Sequence, residues 1–153
     1  MAFATGAASA SDPCHAAAWE RPAGCPRNDK VAALPAQVRQ NNVFFSSGGS
    51  TLDTDAQQQL ILLAAALATD AFLGSCIRLV GHADAIGDAA VNETIALERA
   101  NAVKAYLREQ GLGPAVTLET VSMGEIEPMA GFADDDALQR RVAIWARPCN
   151  VRN

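Results

Sequence analysis

The chain has 153 residues, 50% of them hydrophobic, and a formal net charge of −5. That length supports one domain with a real core and is short for two. The acidic balance argues against nucleic acid or an anionic lipid surface as a partner, and no apolar run approaches the roughly 18 residues of a membrane span.

Residues 1–36 hold Pro13, Pro22, Pro26 and Pro35 with no sustained hydrophobic period. They read as an irregular N-terminal extension, a signal remnant or a linker, ahead of a domain at 37–150. The opening MAFATGAASA has no basic n-region and no leucine-rich h-region, although Ala8-Ser9-Ala10 has the A-x-A form of a secretory cleavage site. A plain leader is the alternative of equal weight. Ser11-Asp12-Pro13 before Cys14 does not fit the small-apolar pattern of a lipid-anchor site.

Alternation from Val38 to Phe45 predicts a first strand, and Ser46 to Ser50 a Gly/Ser loop. Ser50 or Thr51 is placed to cap the helix that follows. In it Ala56, Leu60, Leu63, Ala64 and Leu67 recur at helical spacing, so the LILLAAALA run at 60–68 is a domain helix with one face on a sheet. A second strand is expected at 76–81. A second helix is expected from Val91 or Asn92 to a terminating Gly111, with Ile95, Ala102, Val103, Tyr106 and Leu107 as its stripe. Strands near 116–123 and 140–147 complete the order β-α-β-α-β-β. This predicts an α/β (α+β) two-layer sandwich, a mixed sheet covered by amphipathic helices. Asp134-Asp135-Asp136 reads as a helix start or a solvated loop, with calcium a minor alternative.

Four cysteines are present, without a C-x-x-C and with only two histidines, so no zinc or other metal site is expected. Cys14 and Cys25 flank a Pro-rich loop and can pair locally. Cys76 and Cys149 can pair if their strand ends are neighbours; otherwise Cys76 is a buried free thiol.

The most informative stretch is GHADAIGDAAVNETIALERANAV, from Gly81 to Val103. It leaves a strand, crosses a short loop and enters a helix, which places Asp84 at the strand exit and Arg99 on the helix. A carboxylate and a guanidinium in one cleft suit a zwitterion: Asp84 accepts from an ammonium while Arg99 forks onto a carboxylate. His82 lies near Asp84, but no serine or cysteine nucleophile has a motif around it, so His82 is read as a structural histidine bonding the backbone.

The same residues carry a resemblance. Gly81-His82-x-Asp84, Asn92 and Arg99-Ala100, with Phe44-Phe45-Ser46 before and Gly124-Glu125, Pro128 and Gln139-Arg140-Arg141-Val142 after, resemble the OmpA-like peptidoglycan-binding domain. That family also includes Pal lipoproteins and flagellar stator subunits, and the likeness spans roughly Val38 to Arg147. It implies a periplasmic or cell-envelope domain that binds peptidoglycan non-covalently through the meso-diaminopimelate of the stem peptide, anchoring an envelope component to the wall without enzymatic activity or cofactor. It assigns ligand binding to Asp84, Arg99, Asn92 and Arg140, with the Ile86 to Ala90 loop offering backbone N–H groups and Ser46 standing on the first loop; Arg141 points elsewhere. Departures from the family pattern are Ala83, Ile95-Ala96 in place of Leu-Ser, the Ser46-Ser47-Gly48-Gly49 loop in place of an acid or asparagine, and Gln139 in place of asparagine. They motivate the alternative of an interaction domain that docks other envelope proteins and keeps a weakened wall site. A wall hydrolase needs metal ligands or a nucleophile, and the sequence arranges neither.

Overall fold

The computed structural model describes residues 40–149. The N-terminal extension and the Cys14–Cys25 pairing therefore lie outside the described residues. Strand β1 (Gln40–Phe44) leads to helix α1 (Thr54–Leu67), strand β2 (Ser75–His82), helix α2 (Ala89–Glu109), strand β3 (Thr117–Gly124) and strand β4 (Arg141–Pro148). The sheet order is β1-β4-β2-β3. β4 is antiparallel to both β1 and β2, while β3 runs parallel to β2. The expected mixed sheet and two-layer sandwich are what forms.

Both helices pack on one face of the sheet. α1 turns Ala56, Leu60, Ala64 and Leu67 inward, and α2 turns Ala96, Ala100, Val103 and Leu107 inward. These positions recur every three or four residues, which puts each set on a single helical stripe. They meet Val43, Ile77, Leu79, Leu118, Val142 and Ile144 from the strands. Full burial of each leucine among them contributes about 1.5–3 kcal/mol.

Local chemistry sets the ends. Asp53 caps α1, its Oδ1 accepting from Ala56 N at 2.8 Å, so Ser50 and Thr51 do not cap it. A carboxylate at that position also complements the positive end of the helix dipole, and Leu52 before it packs on the core. Asp88 caps α2 and accepts from Ala90 N and Val91 N, so Asn92 lies one turn inside the helix and is not its cap. Gly111 follows the helix at φ +89°, a conformation that favours glycine. Asp136 caps a single 3-10 turn, Ala137–Gln139, which gives the acidic run its helix start.

Cys76 and Cys149 form a disulfide, Cα atoms 5.0 Å apart, joining the start of β2 to the end of β4. The pairing follows from the register, where Ser75 opposes Pro148 and Cys76 opposes Arg147. No helix among the described residues is long and apolar enough to cross a membrane.

Candidate functional site

The end of the sheet where β2 and β4 meet the start of α2 holds a cleft of about 270 Å³. Asp84, Asn92, Arg99 and Arg140 line it together with Ile86 and Ser47. Strand order explains the convergence: β4 sits between β1 and β2, so Arg140 just before β4 falls beside Asp84 just after β2.

Arg99 comes off the buried stripe of α2 and is 1% exposed. Its Nε donates to Gly49 O at 2.8 Å, Nη1 to His82 O at 3.1 Å, and Nη2 to Ser46 O at a long 3.4 Å. Its Cζ lies 5.5 Å from the centroid of the Phe45 ring. Three of the five guanidinium N–H groups are thus engaged on backbone carbonyls, leaving two for a ligand. Burial lowers the Arg99 pKa below its ordinary value; the Asp84 carboxylate opposes that shift and Arg140 adds to it. A buried cation with spare donors and a second cation beside it is set up to receive an anion.

Asp84 is 7% exposed and pairs with Arg140, whose Nη1 stands 2.9 Å from Asp84 Oδ2. Ile86 N approaches Asp84 Oδ1 at 3.4 Å, and Arg140 Nε also donates to Phe45 O at 3.2 Å. The acid and base of the expected clamp therefore share one cleft, but the direct ion pair joins Asp84 to Arg140 and not to Arg99. Of the N–H groups in the Ile86 to Ala90 loop, that of Ala90 is taken by Asp88.

Asn92 is 5% exposed, and its Nδ2 reaches Asp84 O at 3.1 Å, Ile86 O at 3.1 Å and Glu125 Oε2 at 2.8 Å. It binds the 84–86 loop to α2 and ties both to Glu125 after β3. Glu125 had no role in the sequence reading beyond its turn motif; its pairing with Asn92 spans 33 residues and has no local signal. Gln139, noted only as a departure, is 1% exposed. Its amide accepts from Met129 N and Arg141 Nη1 and donates to Ala133 O, so it ties the 125–139 loop to the base of β4. Arg141 turns into this network, donating also to Glu127 O, and is not among the cleft-lining residues.

The Ser/Gly loop contributes backbone: Ser46 and Gly49 offer carbonyls to Arg99, while Ser47 and Gly48 form cleft wall. The side chain facing the cleft from that loop is Ser47, next to the Ser46 singled out from sequence. Ala96 is fully buried over Gly81, where an added Cβ would fall on the Ala96 carbonyl. Position 96 thus faces the sheet, and the missing hydroxyl takes no contact from the cleft; Ile95 is the lining residue. His82 is 3% exposed, and its Nδ1 is buried without a hydrogen-bond partner. Burial, reinforced by Arg141, pushes its pKa down to about 4, so the imidazole is neutral at pH 7.

Comparison with known proteins agrees with this architecture. A sequence model of the OmpA family matches residues 44–141. Outer membrane protein A of Bordetella avium is 36% identical over 120 residues, covering 76% of this chain and 60% of that protein. The peptidoglycan-associated lipoprotein of Agrobacterium fabrum is 32% identical over 107 residues, covering 70% and 55%. The chain spans less than two thirds of the length of these curated relatives. Among solved structures, the peptidoglycan-associated lipoprotein from Burkholderia pseudomallei superposes with a TM-score of 0.63 at 25% identity, over 78% of this chain and 99% of that one. The C-terminal domain of Helicobacter pylori MotB shares the fold, with a TM-score of 0.59 at 19% identity over 70% of this chain and 84% of that one. With its sheet order, its glycine-packed second helix and this family match across the cleft residues, the chain belongs to the OmpA family.

Proposed function

We propose that this domain binds peptidoglycan non-covalently and so holds an envelope component to the cell wall, with the amino-acid centre of meso-diaminopimelate as the group recognised. The observation that carries this reading is the convergence of Asp84, Arg99, Arg140 and Asn92 on one cleft. The ligand's carboxylate takes the two uncommitted N–H groups of Arg99, and its ammonium sits against Asp84. Arg140 then shares Asp84 with the ammonium or turns to the carboxylate. Relatives named as peptidoglycan-associated lipoproteins support the choice of wall over other zwitterions. The role is binding alone: recognition of a zwitterion needs no bond to be made or broken, no metal and no cofactor. A cell-envelope, periplasmic location follows from that ligand.

Because Asp84 already has a partner in Arg140, a second reading keeps the fold as a dock for other envelope proteins with wall affinity reduced. Co-sedimentation with purified sacculi, comparing the unaltered protein with Asp84→Ala and Arg99→Ala, separates the two. The wall reading expects the unaltered protein in the pellet and both variants in the supernatant. Failure of the unaltered protein to pellet favours the protein-docking reading. Equal pelleting of all three would place the wall contact away from this cleft. Diaminopimelate-free sacculi test the finer assignment, since binding to them as strong as to diaminopimelate walls removes it.

A further inference from the structure

The cleft has an aliphatic side that a ligand's charged head group leaves unused. Val91, Ile95 and Arg99 line it from α2 at intervals of four residues, so they share one face of the helix. Exposure falls along this ladder, from 53% at Val91 through a half-buried Ile95 to 1% at Arg99. Eight residues of helix advance about 12 Å, which gives the cleft a depth direction. The guanidinium lies at its floor, and two branched aliphatic side chains mark the way out. Ile86 stands at the same mouth and is 61% exposed. Its N–H points to Asp84 Oδ1 at 3.4 Å and its carbonyl accepts from Asn92 Nδ2 at 3.1 Å, while Val91 N–H is held by Asp88 at 3.1 Å. The groups that shape the cleft therefore also set Ile86 and Val91 in place.

Volume and surroundings say what fills the remaining space. A cleft of about 270 Å³ matches about nine water molecules. The nitrogen, α-carbon and carboxylate of an amino-acid centre take up about five of those places, leaving room for about four carbons beside the ladder. Gly48 and Gly87 also line the cleft with open space where a Cβ would stand, so the mouth is left open there. We propose that Ile86, Val91 and Ile95 form a subsite for an unbranched alkyl arm of about three to four carbons, so that the cleft selects an amino-acid centre carried at the end of such an arm. The inference rests on the wall-binding reading for the head group and adds what the ligand must carry behind it. An arm with an early carboxylate is refused, because it meets Val91 and Ile95 and, at the rim, the Asp88 side chain.

Amide chemical shifts of the isotopically labelled full-length chain, followed at Ser47, Ile86 and Val91, give a dissociation constant for each free amino acid titrated. The series is glycine, alanine, norvaline and norleucine as racemates, with aspartate as the charged arm. Affinity is expected to rise about twofold per carbon, because a half-covered methylene recovers part of its transfer free energy, so norleucine binds about tenfold more tightly than glycine. Aspartate should bind more weakly than alanine. Ile86→Ser/Val91→Ser is expected to cut the glycine-to-norleucine ratio to about twofold, whereas Leu62→Ser, on the exposed face of α1, keeps it. Val91→Thr, which exchanges a methyl for a hydroxyl at nearly the same shape, should also lower the ratio and so tie the loss to polarity. Equal affinities along the series, abolished by Arg99→Ala, would overturn this inference and leave the wall-binding reading standing. A ratio that the double substitution leaves intact would overturn it as well. If neither the series nor meso-diaminopimelate moves these amides, the head-group assignment fails and the arm subsite fails with it.

Discussion

Arg140 and Asp84, separated by 56 residues, meet through Nη1 and Oδ2 at 2.9 Å with side-chain exposures of 17% and 10%. The pair links the base of the central strand to the loop that opens α2, and it is the charge contact that closes the cleft. Removing one partner leaves the other part-buried and unpaired. Arg140→Ala is expected to destabilise the domain by about 1–3 kcal/mol in urea titration, and Asp84→Asn by less because its amide still fits the site. Equal stability of Arg140→Ala and the unaltered protein would show the pair to be a solvated contact.

Gly81→Ala places a methyl group on the carbonyl of Ala96. The strand or the helix must move, at an expected cost of about 3 kcal/mol or more. Adding Ala96→Gly should not rescue it, because the obstacle is main chain. A urea midpoint restored by the second substitution would contradict the close approach.

Asn92 donates to two carbonyls and to Glu125 from one amide nitrogen. Asn92→Asp reverses donor to acceptor against three acceptors and adds charge beside Glu125, whereas Asn92→Ala only removes the donors. The aspartate variant should therefore be the less stable of the two, by about 1–2 kcal/mol at neutral pH, with the gap narrowing as the carboxylate protonates. Thermal melts of both variants at pH 7 and pH 4 read the difference.

His82 gives the domain an acid limit. Its folded pKa of about 4 lies below the ordinary 6.5. Between those values the unfolded chain binds the proton and the folded chain does not, so unfolding takes up protons and stability falls as pH drops through the window. Below pH 4 this contribution is fully lost. The full span corresponds to roughly 3 kcal/mol as an upper figure. The expected result is a stability loss from pH 7 to pH 4.5 that is larger in the unaltered protein than in His82→Gln; parallel pH profiles would remove His82 as the source.

The Cys76–Cys149 bond closes a 73-residue separation. A loop of that size restrains the unfolded chain by about 4 kcal/mol in the chain-entropy account. A Cys76→Ser/Cys149→Ser protein should lose about 2–5 kcal/mol against the oxidised parent, measured without reductant so that other cysteines are unaffected.

Secondary structure was largely legible in the sequence because Ala56, Leu60, Ala64 and Leu67 on α1, and Val103 and Leu107 on α2, recur at helical spacing between terminating and capping residues. Caps were less so. Ser50, Thr51 and Asp53 stand close together and are all competent; the choice falls to Asp53 because Leu52 must reach the core. Asp84 and Arg99 share one local stretch and were paired from it, whereas Arg140 could be joined to them only through a family pattern, since nothing local says that β4 inserts between β1 and β2. Glu125 and Gln139 act through partners on other elements or across an irregular loop. Their spacing carries no period, and so their partners could not be read from it.

The sheet order has a consequence in time. The last of the described strands in sequence, β4, occupies an interior place between β1 and β2. Until residues 140–148 arrive, β1 has no neighbour in the sheet and Asp84 lacks its guanidinium. A chain emerging from a ribosome is thus mute until β4 has been made. Docking β4 is the non-local, slow event that switches on fold and cleft together. A partly made domain therefore has no assembled cleft with which to bind anything.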